Sequence, residues 1–219
     1  MNINKHVDYF NPLSDLKHPI TIIGCGAIGS TVAVMLARMG IPNIKLYDFD
    51  IVTAHNIANQ TFRHKDINET KPKALREILE EINPEIEVVI NGEYNQQKLS
   101  GHVFLAVDNI DLRRKIATDN KDNLYIKAMY DFRMRLIDAQ HYAADWQDKN
   151  SVNTFIASMQ FSHEDAKAET PTNACGTSLN IITTVNGIVS LGLQNFIHYT
   201  KTGDIKKCIL LNQFQVDVF

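Results

Sequence analysis

The 219-residue chain predicts a doubly wound α/β fold, in which a mostly parallel sheet is extended by antiparallel strands near the C-terminus. Short β-branched runs alternate with segments of helical period up to residue 129, which is typical of a parallel sheet with helices on both faces. A glycine-rich turn joins the first strand to the first helix. Beyond residue 135 the apolar residues alternate without a helix between them, which favours antiparallel pairing. We expect a single domain over residues 1–219.

Five apolar runs predict the parallel strands, and they cover residues 20–23, 44–47, 86–90, 103–107 and 124–129. Stretches with apolar residues at helical spacing lie between them, over residues 27–39, 70–82 and from 109 to about 118. Gly40 closes the first of these helices, and the pair Asn83-Pro84 ends the second. Residues 51–65 have no clean period and predict a long loop.

The C-terminal half follows a different pattern. Residues 135–143 and 152–161 alternate in polarity and predict an antiparallel pair. Residues 163–173 are polar and acidic and predict a mobile loop. A long, largely apolar helix is expected over residues 176–199, followed by a last strand over 208–219.

Composition excludes several classes of protein. Hydrophobic residues make up 44% of the chain and charged residues 21%, so a wholly disordered chain is excluded. The net charge of −3 offers no basic excess for nucleic acid, and no apolar run approaches the ~20 residues of a membrane span. Three cysteines are too few for a disulfide framework. We expect a cytoplasmic protein that binds neither nucleic acid nor membrane.

The turn after the first strand reads Gly24-Cys25-Gly26-Ala27-Ile28-Gly29 and fits G-x-G-x-x-G. In this context the first glycine permits the tight turn, the second admits phosphate and the third allows close packing. The helix N-terminus that follows offers free N–H groups to an anion. Asp48, at the end of the second strand, can accept ribose hydroxyls. These features predict nucleotide binding in a Rossmann-like fold without separating NAD from ATP, and a tight turn without a ligand is the alternative.

The segments after Asp48 carry a resemblance to a known family. They read Asp48-Phe49-Asp50-Ile51-Val52, Asn56-Ile57-Ala58-Asn59-Gln60, Lys71-Pro72-Lys73 and Ile82-Asn83-Pro84, and Asp108-Asn109 follows the fourth strand. From about Ile20 to its C-terminus the chain resembles the ThiF/MoeB family, bacterial adenylyltransferases related to ubiquitin-activating enzymes. The family pattern is D-x-D-x-V-x-x-x-N-L-x-R-Q, then P-K, then I-N-P, then D-N.

The resemblance implies an activity. It implies a homodimer that uses ATP and Mg²⁺ to adenylate the C-terminal carboxylate of a small ubiquitin-like or sulfur-carrier protein, or of a peptide, with release of pyrophosphate. The attacking carboxylate is already ionised, so no general base is needed. Two anions must meet, so we expect cations and a metal ion to dominate catalysis.

The resemblance also implies roles for individual residues. It implies that the nucleotide is bound by Gly24, Gly26, Ala27, Gly29, Asp48, Asp50, Asn56, Gln60, Lys73 and Asn109. Lys73 would contact phosphate, and Asp108 would hold Mg²⁺ and organise the reacting groups. Cys175 would be a nucleophile that forms a thioester or persulfide after adenylation, with a packing role as the alternative.

The chain departs from the family pattern in its cations. The family arginine of N-L-x-R-Q is Asn59, for which Arg63 or Lys71 is a candidate replacement, and residues 1–20 contain no arginine. Two alternatives therefore stay open: a nucleotide-binding subunit without catalysis, and an NAD-dependent oxidoreductase supported by the glycine loop and Asp48. Arg113 and Arg114 predict a solvated helix face, with contact between Arg113 and the nucleotide as the alternative.

Overall fold

The computed structural model describes residues 1–169, 172, 179–212 and 215–219. Its strands are β1 (Ile20–Ile23), β2 (Asn43–Tyr47), β3 (Glu87–Ile90), β4 (Gly101–Leu105), β5 (Ile126–Arg135), β6 (Asp138–Asp145), β7 (Cys208–Asn212) and β8 (Gln215–Val218). Its helices are α1 (Pro12–Asp15), α2 (Ala27–Arg38), α3 (Lys71–Ile82), α4 (Ile110–Asp119), α5 (Lys149–Ala157), α6 (His163–Glu169) and α7 (Ile182–Thr202). Short 3₁₀ turns cover Ala54–Ala58 and His64–Asp66.

The strands within the described residues form one eight-stranded sheet with the order β3-β2-β1-β4-β5-β6-β7-β8. The first five strands in this order pair in parallel, and β5 to β8 pair antiparallel. This arrangement confirms the predicted fold class, a mostly parallel sheet extended by antiparallel C-terminal strands.

The strand order reverses at β1. The chain moves from β1 to β2 on one side and returns to β4 on the other, so β1 lies between them. In open α/β sheets a crevice forms beyond the carboxyl ends of the strands at such a switch point. The glycine loop follows β1, Asp48 follows β2, and Asp108 follows β4, so the fold gathers all three at one edge of the sheet.

Helices cover both faces of the sheet because side chains alternate along each strand. Ile20 and Ile22 of β1 belong to a core shared with α2, α3 and α7. Ile23, on the opposite face, belongs to a second core with α4 and α5. The N-terminal segment joins the first core through Phe10, whose ring packs edge-on against Phe196 at 6.3 Å.

The elements of the N-terminal half agree with prediction to within about three residues at each end, except for β5. Gly40 ends α2 in a left-handed conformation with φ +82°, and Pro72 occupies the first turn of α3. The strand predicted over 103–107 is shifted and spans Gly101–Leu105. The strand predicted over 124–129 continues to Arg135 as β5 because β6 pairs with its outer half.

The predicted antiparallel pair of 135–143 with 152–161 is wrong. The partners of β6 are β5 and β7, and most of the second segment lies in α5, Lys149–Ala157. The Asp148 side chain caps this helix by accepting a hydrogen bond from Asn150 N. Val152 and Phe155 are buried three residues apart, which is helical spacing.

The remaining C-terminal predictions also need correction. Residues 163–169 form α6 rather than a loop. The long helix begins at Ile182 and ends at Thr202, where Gly203 adopts a left-handed conformation, while residues 176–178 lie outside the described residues. The last strand is two strands, β7 and β8, paired antiparallel. None of the helices in the described part of the chain combines the length and apolar character needed to cross a bilayer.

Two histidines are buried in the first core. His102 contacts the Tyr130 hydroxyl through Nδ1 at 3.2 Å, and the His141 ring lies 3.2 Å from Asn195 Nδ2. Burial lowers the pKa of His102 to about 3 and that of His141 to about 4, because the charged ring loses its hydration. Both rings are therefore neutral in the folded protein at neutral pH.

We predict that these histidines destabilise the fold in mild acid. The unfolded chain protonates them below about pH 6.5 and the folded protein does not, so the free energy of unfolding falls as pH falls. Each histidine should cost about 1 kcal/mol between pH 7 and pH 5.5. Urea unfolding of wild type, His102→Gln and His141→Asn at pH 7 and 5.5 measures this loss.

The exposed His64 provides the matched control, since folding does not bury its side chain. The His64→Gln variant should keep the wild-type pH dependence, while His102→Gln and His141→Asn should flatten it. Equal pH dependence in all four proteins would contradict the prediction.

Candidate functional site

An open cavity of about 910 Å³ lies at the carboxyl ends of β1, β2, β4 and β5. Residues that follow three of these strands line it, namely Gly24, Gly26, Ala27, Asp48, Asp50, Asp108 and Asn109. Residues 132–134 of β5 form one side, and His163, Ala166 and Lys167 of α6 form another. The cavity therefore brings most of the predicted site residues together.

The glycine loop is shaped by close backbone contacts. Gly24 has φ +96°, and a Cβ there would lie 2.6 Å from the carbonyl carbon of Ala106. A Cβ on Gly29 would overlap the carbonyl oxygen of Gly24. A Cβ on Gly26, in contrast, would meet nothing within 4 Å. The loop thus packs tightly on one side and faces open space on the other, where a phosphate fits.

The first turn of α2 adds hydrogen-bond donors at the same place. Gly26 is its N-cap and provides no side-chain cap. The N–H groups of a first helical turn point along the axis and carry the positive end of the helix dipole. A phosphate group in the cavity would accept hydrogen bonds from them.

Asp48 connects the glycine loop to the end of β2. Its Oδ2 accepts a hydrogen bond from Cys25 N at 2.5 Å, and its Oδ1 accepts one from Asp50 N at 2.8 Å. Each carboxylate oxygen can accept a further hydrogen bond. The geometry fits a ribose whose hydroxyls donate to Asp48.

The two lysines of the Lys71-Pro72-Lys73 segment differ in position. Lys71 lines the cavity with a side chain only 10% exposed, and its Nζ lies 2.7 Å from Asp50 Oδ2. Lys73 has a 48% exposed side chain, pairs with Glu69 at 2.6 Å, and is absent from the described cavity lining. The hydrogen bond to Glu69 raises the pKa of Lys73. The cation that faces the cavity from this segment is Lys71.

Some polar side chains of the Asn56–Gln60 segment make contacts within the protein, and others line the cavity. Asn56 is buried, and its Oδ1 accepts hydrogen bonds from Thr53 N and Oγ1, both at 2.9 Å. Gln60 lines the cavity, and its buried Oε1 has no partner among the described residues. Asn59 also lines the cavity and contacts the Asn180 side chain. Of these residues, Gln60 has a polar atom left for a ligand.

Arg63 is committed to a different contact. Its Nε and Nη2 each lie 3.0 Å from the carboxylate oxygens of Asp66, and it also pairs with Glu81. It does not contribute to the described cavity lining. Of the two candidate replacements for the cation missing at Asn59, only Lys71 faces the cavity.

Asp108 and Asn109 stand where β4 leads into α4. The Asn109 side chain caps α4 by accepting a hydrogen bond from Leu112 N at 3.1 Å, and Asp108 lines the cavity. The described residues contain no group of three or more His, Cys, Asp or Glu side chains placed to hold a metal ion. A single carboxylate suits Mg²⁺, which keeps several waters and takes other oxygens from substrate phosphates. Asp108 therefore fits that metal.

Arg113 contradicts the predicted solvated helix face. Its side chain is 8% exposed, its Nε donates to Val107 O at 2.5 Å, and its Nη1 lies 2.6 Å from Asp131 Oδ1. Its guanidinium contacts Asp131 and Phe132 of β5, and it lines the cavity. Arg114, one residue on, stays partly exposed and pairs with Asp111.

Several cavity residues were missed by sequence reasoning. Tyr47 and Tyr94 meet edge to face with ring centroids 5.5 Å apart, and Phe49 adds a 64% exposed ring beside them. Arg133 of β5 and Lys167 of α6 supply cations. These residues belong to no motif. Only Phe49, which lies between Asp48 and Asp50, could have been placed near the site from the sequence.

The cysteines contribute no described nucleophile to the cavity. Cys175 lies outside the described residues. Cys25 is fully buried, and burial raises the pKa of its thiol well above the usual value. Cys208 lies in β7, at the opposite side of β6 from the cavity strands. Cys25 therefore packs inward as a neutral side chain.

Known proteins share both sequence and fold with this chain. A molybdopterin-synthase adenylyltransferase from Haemophilus influenzae is 30% identical over 123 residues, 52% of this chain and 50% of that protein. A ubiquitin-like modifier-activating enzyme 5 from Caenorhabditis elegans is 27% identical over 122 residues, 53% of this chain and 27% of that enzyme. The chain thus spans half or less of these two relatives.

A solved structure extends the likeness to the whole fold. Escherichia coli MccB in complex with MccA superposes with a TM-score of 0.70 over 100% of this chain and 71% of that chain, at 18% identity. MccB, named a microcin C7 biosynthetic enzyme, is also solved with ATP.

The family model that describes ThiF proteins matches residues 13–195, which include the glycine loop and every described residue that lines the cavity. This match covers most of the chain, so the chain belongs to the ThiF family.

Proposed function

We propose that this protein is an ATP-dependent adenylyltransferase that activates the C-terminal carboxylate of a small ubiquitin-like or sulfur-carrier protein, or of a peptide. The observation that carries the proposal is the convergence of an open glycine loop, Asp48 and Asp108 on one cavity. The names of the relatives, an adenylyltransferase and a ubiquitin-like modifier-activating enzyme, support it.

The nucleotide would lie across the carboxyl ends of β2, β1 and β4. Asp48 would accept hydrogen bonds from the ribose, and the first turn of α2 would donate to phosphate oxygens beside Gly26. Tyr47, Tyr94 and Phe49 offer apolar ring surface for the base. The residues present thus fit a nucleoside triphosphate.

The chain's own residues would lower the barrier by placing charge where two anions meet. The substrate carboxylate attacks the α-phosphorus, pyrophosphate leaves, and no proton is transferred. Lys71 is held at the cavity wall by Asp50 and would face the phosphates. Asp108 would hold Mg²⁺, which supplies neutralising charge at the phosphates when bound. Because these groups are fixed before reaction, little reorganisation is needed.

A nucleotide-binding subunit without catalysis is the second candidate. The observation that favours it is Asn59, which lines the cavity at the position where the family pattern has an arginine. Its uncharged amide contacts the Asn180 side chain and provides no cation for the phosphates. From the resemblance we also propose a homodimer and a later transfer of the activated group to Cys175.

We predict that Mg-ATP stabilises the protein through Asp108. A ligand at about 100 times its Kd adds about 2.7 kcal/mol, a shift of a few degrees in Tm. Thermal unfolding with Mg-ATP, with ATP plus chelator and with NAD measures the selectivity. Wild type should respond most to Mg-ATP, and Asp108→Asn should lose the magnesium-dependent part.

The exposed Asp122 gives the control, because Asp122→Asn removes the same charge away from the cavity. A larger shift with NAD than with Mg-ATP would overturn the proposal in favour of an oxidoreductase.

We predict that Lys71, rather than Lys73, contacts the triphosphate. Lys71→Met should weaken ATP binding about tenfold, equivalent to about 1.4 kcal/mol, and leave adenosine binding unchanged. Lys73→Met should change ATP affinity less than Lys71→Met, because its ammonium group lies outside the described cavity lining. Titration calorimetry with ATP and adenosine gives both constants.

Lys65→Met is the control, since this exposed lysine pairs only with Glu81 in the described structure. A tenfold loss of ATP affinity in Lys73→Met, with none in Lys71→Met, would reverse the assignment.

A further inference from the structure

Two arginines and one aspartate form a buried cluster on the β5 side of the cavity. Asp131 has a fully buried side chain, and each of its oxygens pairs with a different arginine. Arg113 Nη1 lies 2.6 Å from Oδ1, and Arg133 Nε lies 2.6 Å from Oδ2. Both arginines line the cavity. We call these three residues the arginine cluster.

The arginine cluster carries one net positive charge. Burial opposes ionisation of Asp131, but the two guanidinium groups outweigh it and hold the pKa of Asp131 below its usual value. One buried anion thus balances one of two cations, and the second charge faces the cavity.

The cluster is rigidly held. Arg133 Nη1 and Nη2 donate to Ser158 O and Oγ at 2.7 and 2.9 Å, and its guanidinium stacks on the Tyr142 ring at 4.2 Å. Arg113 uses Nε and Nη1 in contacts with Val107, Asp131 and Phe132, while its Nη2 has no hydrogen-bond partner among the described residues. A preformed donor is therefore available to an anion.

Charge differs between the two ends of the cavity. Asp48, Asp50 and Glu93 outnumber Lys71 at the β2 and β3 end. Arg113, Arg133 and Lys167 outnumber Asp131 and Asp108 at the β4 and β5 end. A second anion, distinct from the nucleotide at the glycine loop, would be drawn to the β5 end.

The spacing suits a carboxylate beside a bound phosphate. The glycine loop follows β1 and the cluster lies on β5, two strands away, which is roughly 10 Å. An attacking oxygen about 3.3 Å from phosphorus and a hydrogen bond of about 2.8 Å to a guanidinium account for about 6 Å of this distance. The remaining ~4 Å is close to the distance from a loop N–H nitrogen to the phosphorus of a phosphate that it binds.

We propose that the arginine cluster is the binding site for the substrate's C-terminal carboxylate, which Arg113 and Arg133 hold beside the phosphate that it attacks. This inference rests on the proposed function and assigns the carboxylate a place in it. The net positive charge of the cluster favours an anion, and Arg113 Nη2 provides a charged donor for one carboxylate oxygen.

The test uses two probes that differ only in charge, N-acetyl-Gly-Gly with a free carboxylate and its C-terminal amide. Binding of each is measured by NMR titration, with and without Mg²⁺ and the non-hydrolysable analogue AMPCPP. Wild type should bind the acid at least tenfold more tightly than the amide. Lack of a preference for the acid would overturn the proposal.

Charge variants separate binding from folding. Arg133→Gln lowers the net charge of the cluster to zero and should abolish the preference for the acid. Asp131→Asn raises it to +2 and should increase the preference several-fold. The double variant restores +1 and should return the preference toward wild type, which also keeps the test valid if Arg133→Gln alone fails to fold. A purely structural role predicts losses in all three variants.

Arg76→Gln is the control, since this arginine lies on α3 and pairs with Glu80 away from the cavity. AMPCPP and adenosine affinities are measured in the same variants. Loss of AMPCPP binding equal to the loss of acid binding in Arg133→Gln would reassign the cluster to the triphosphate and overturn the proposal. If wild type binds the acid but not AMPCPP, the proposed function fails and the carboxylate site stands.

Discussion

Backbone contact at the switch point is the constraint on which the site depends. The glycine loop packs so closely on the turn after β4 that a side chain at Gly24 would collide with Ala106 and Val107. This contact fixes the turn that leads to Asp108. Asp48 then fastens the loop from the other side by accepting the Cys25 N–H. The glycine loop therefore contacts both of the other functional segments, and its conformation constrains where Asp48 and Asp108 lie.

The positions of these segments matter because the proposed reaction brings two anions together in the cavity. A carboxylate and a triphosphate repel each other, and the repulsion is strong in a poorly hydrated site. Cations that line the cavity offset this repulsion, and each is held in place by a carboxylate. Asp50 holds Lys71, and Asp131 holds Arg113. The Arg113–Asp131 pair is buried and the Lys71–Asp50 pair is partly exposed, and pairs of either kind add little net stability. Their value lies in fixing where the charge sits.

The sequence predicted those parts of the site that depend on local structure. The glycine loop, Asp48 and Asp108 follow strands directly, and the end of a parallel strand is a position that a short pattern can locate. The choice of Lys73 as the phosphate contact had no such pattern behind it, and Lys71 is the lysine that lines the cavity. Two residues along a helix differ by about 200° in direction, so the start of α3 decides which lysine faces the cavity.

Arg113 and Arg114 illustrate the same limit of sequence patterns, since adjacent helical residues point about 100° apart and only the packing of α4 shows which one is buried. The error over 152–161 had a different source. Val152, Phe155 and Ile156 fit helical spacing, whereas the apolar residues at 155, 157, 159 and 161 alternate as in a strand. The Asp148 cap resolves the ambiguity only in three dimensions.

The side of the cavity formed by α6, which we call its cover, is positioned in part by Arg133, an arginine that also supplies charge to the cavity. Arg133 holds Ser158 at the end of α5, and Arg114 Nη1 donates to the carbonyl oxygens of Met159 and Phe161. The segment that carries α6 is therefore tied down by guanidinium groups as well as by apolar packing. Hydrogen bonds to charged donors are directional, so they set the position of α6 more closely than apolar contact would. Binding an anion at Arg133 would act on a group that also positions the helix above it. The proposed carboxylate site and α6 are therefore coupled through the contacts of Arg133 with Ser158.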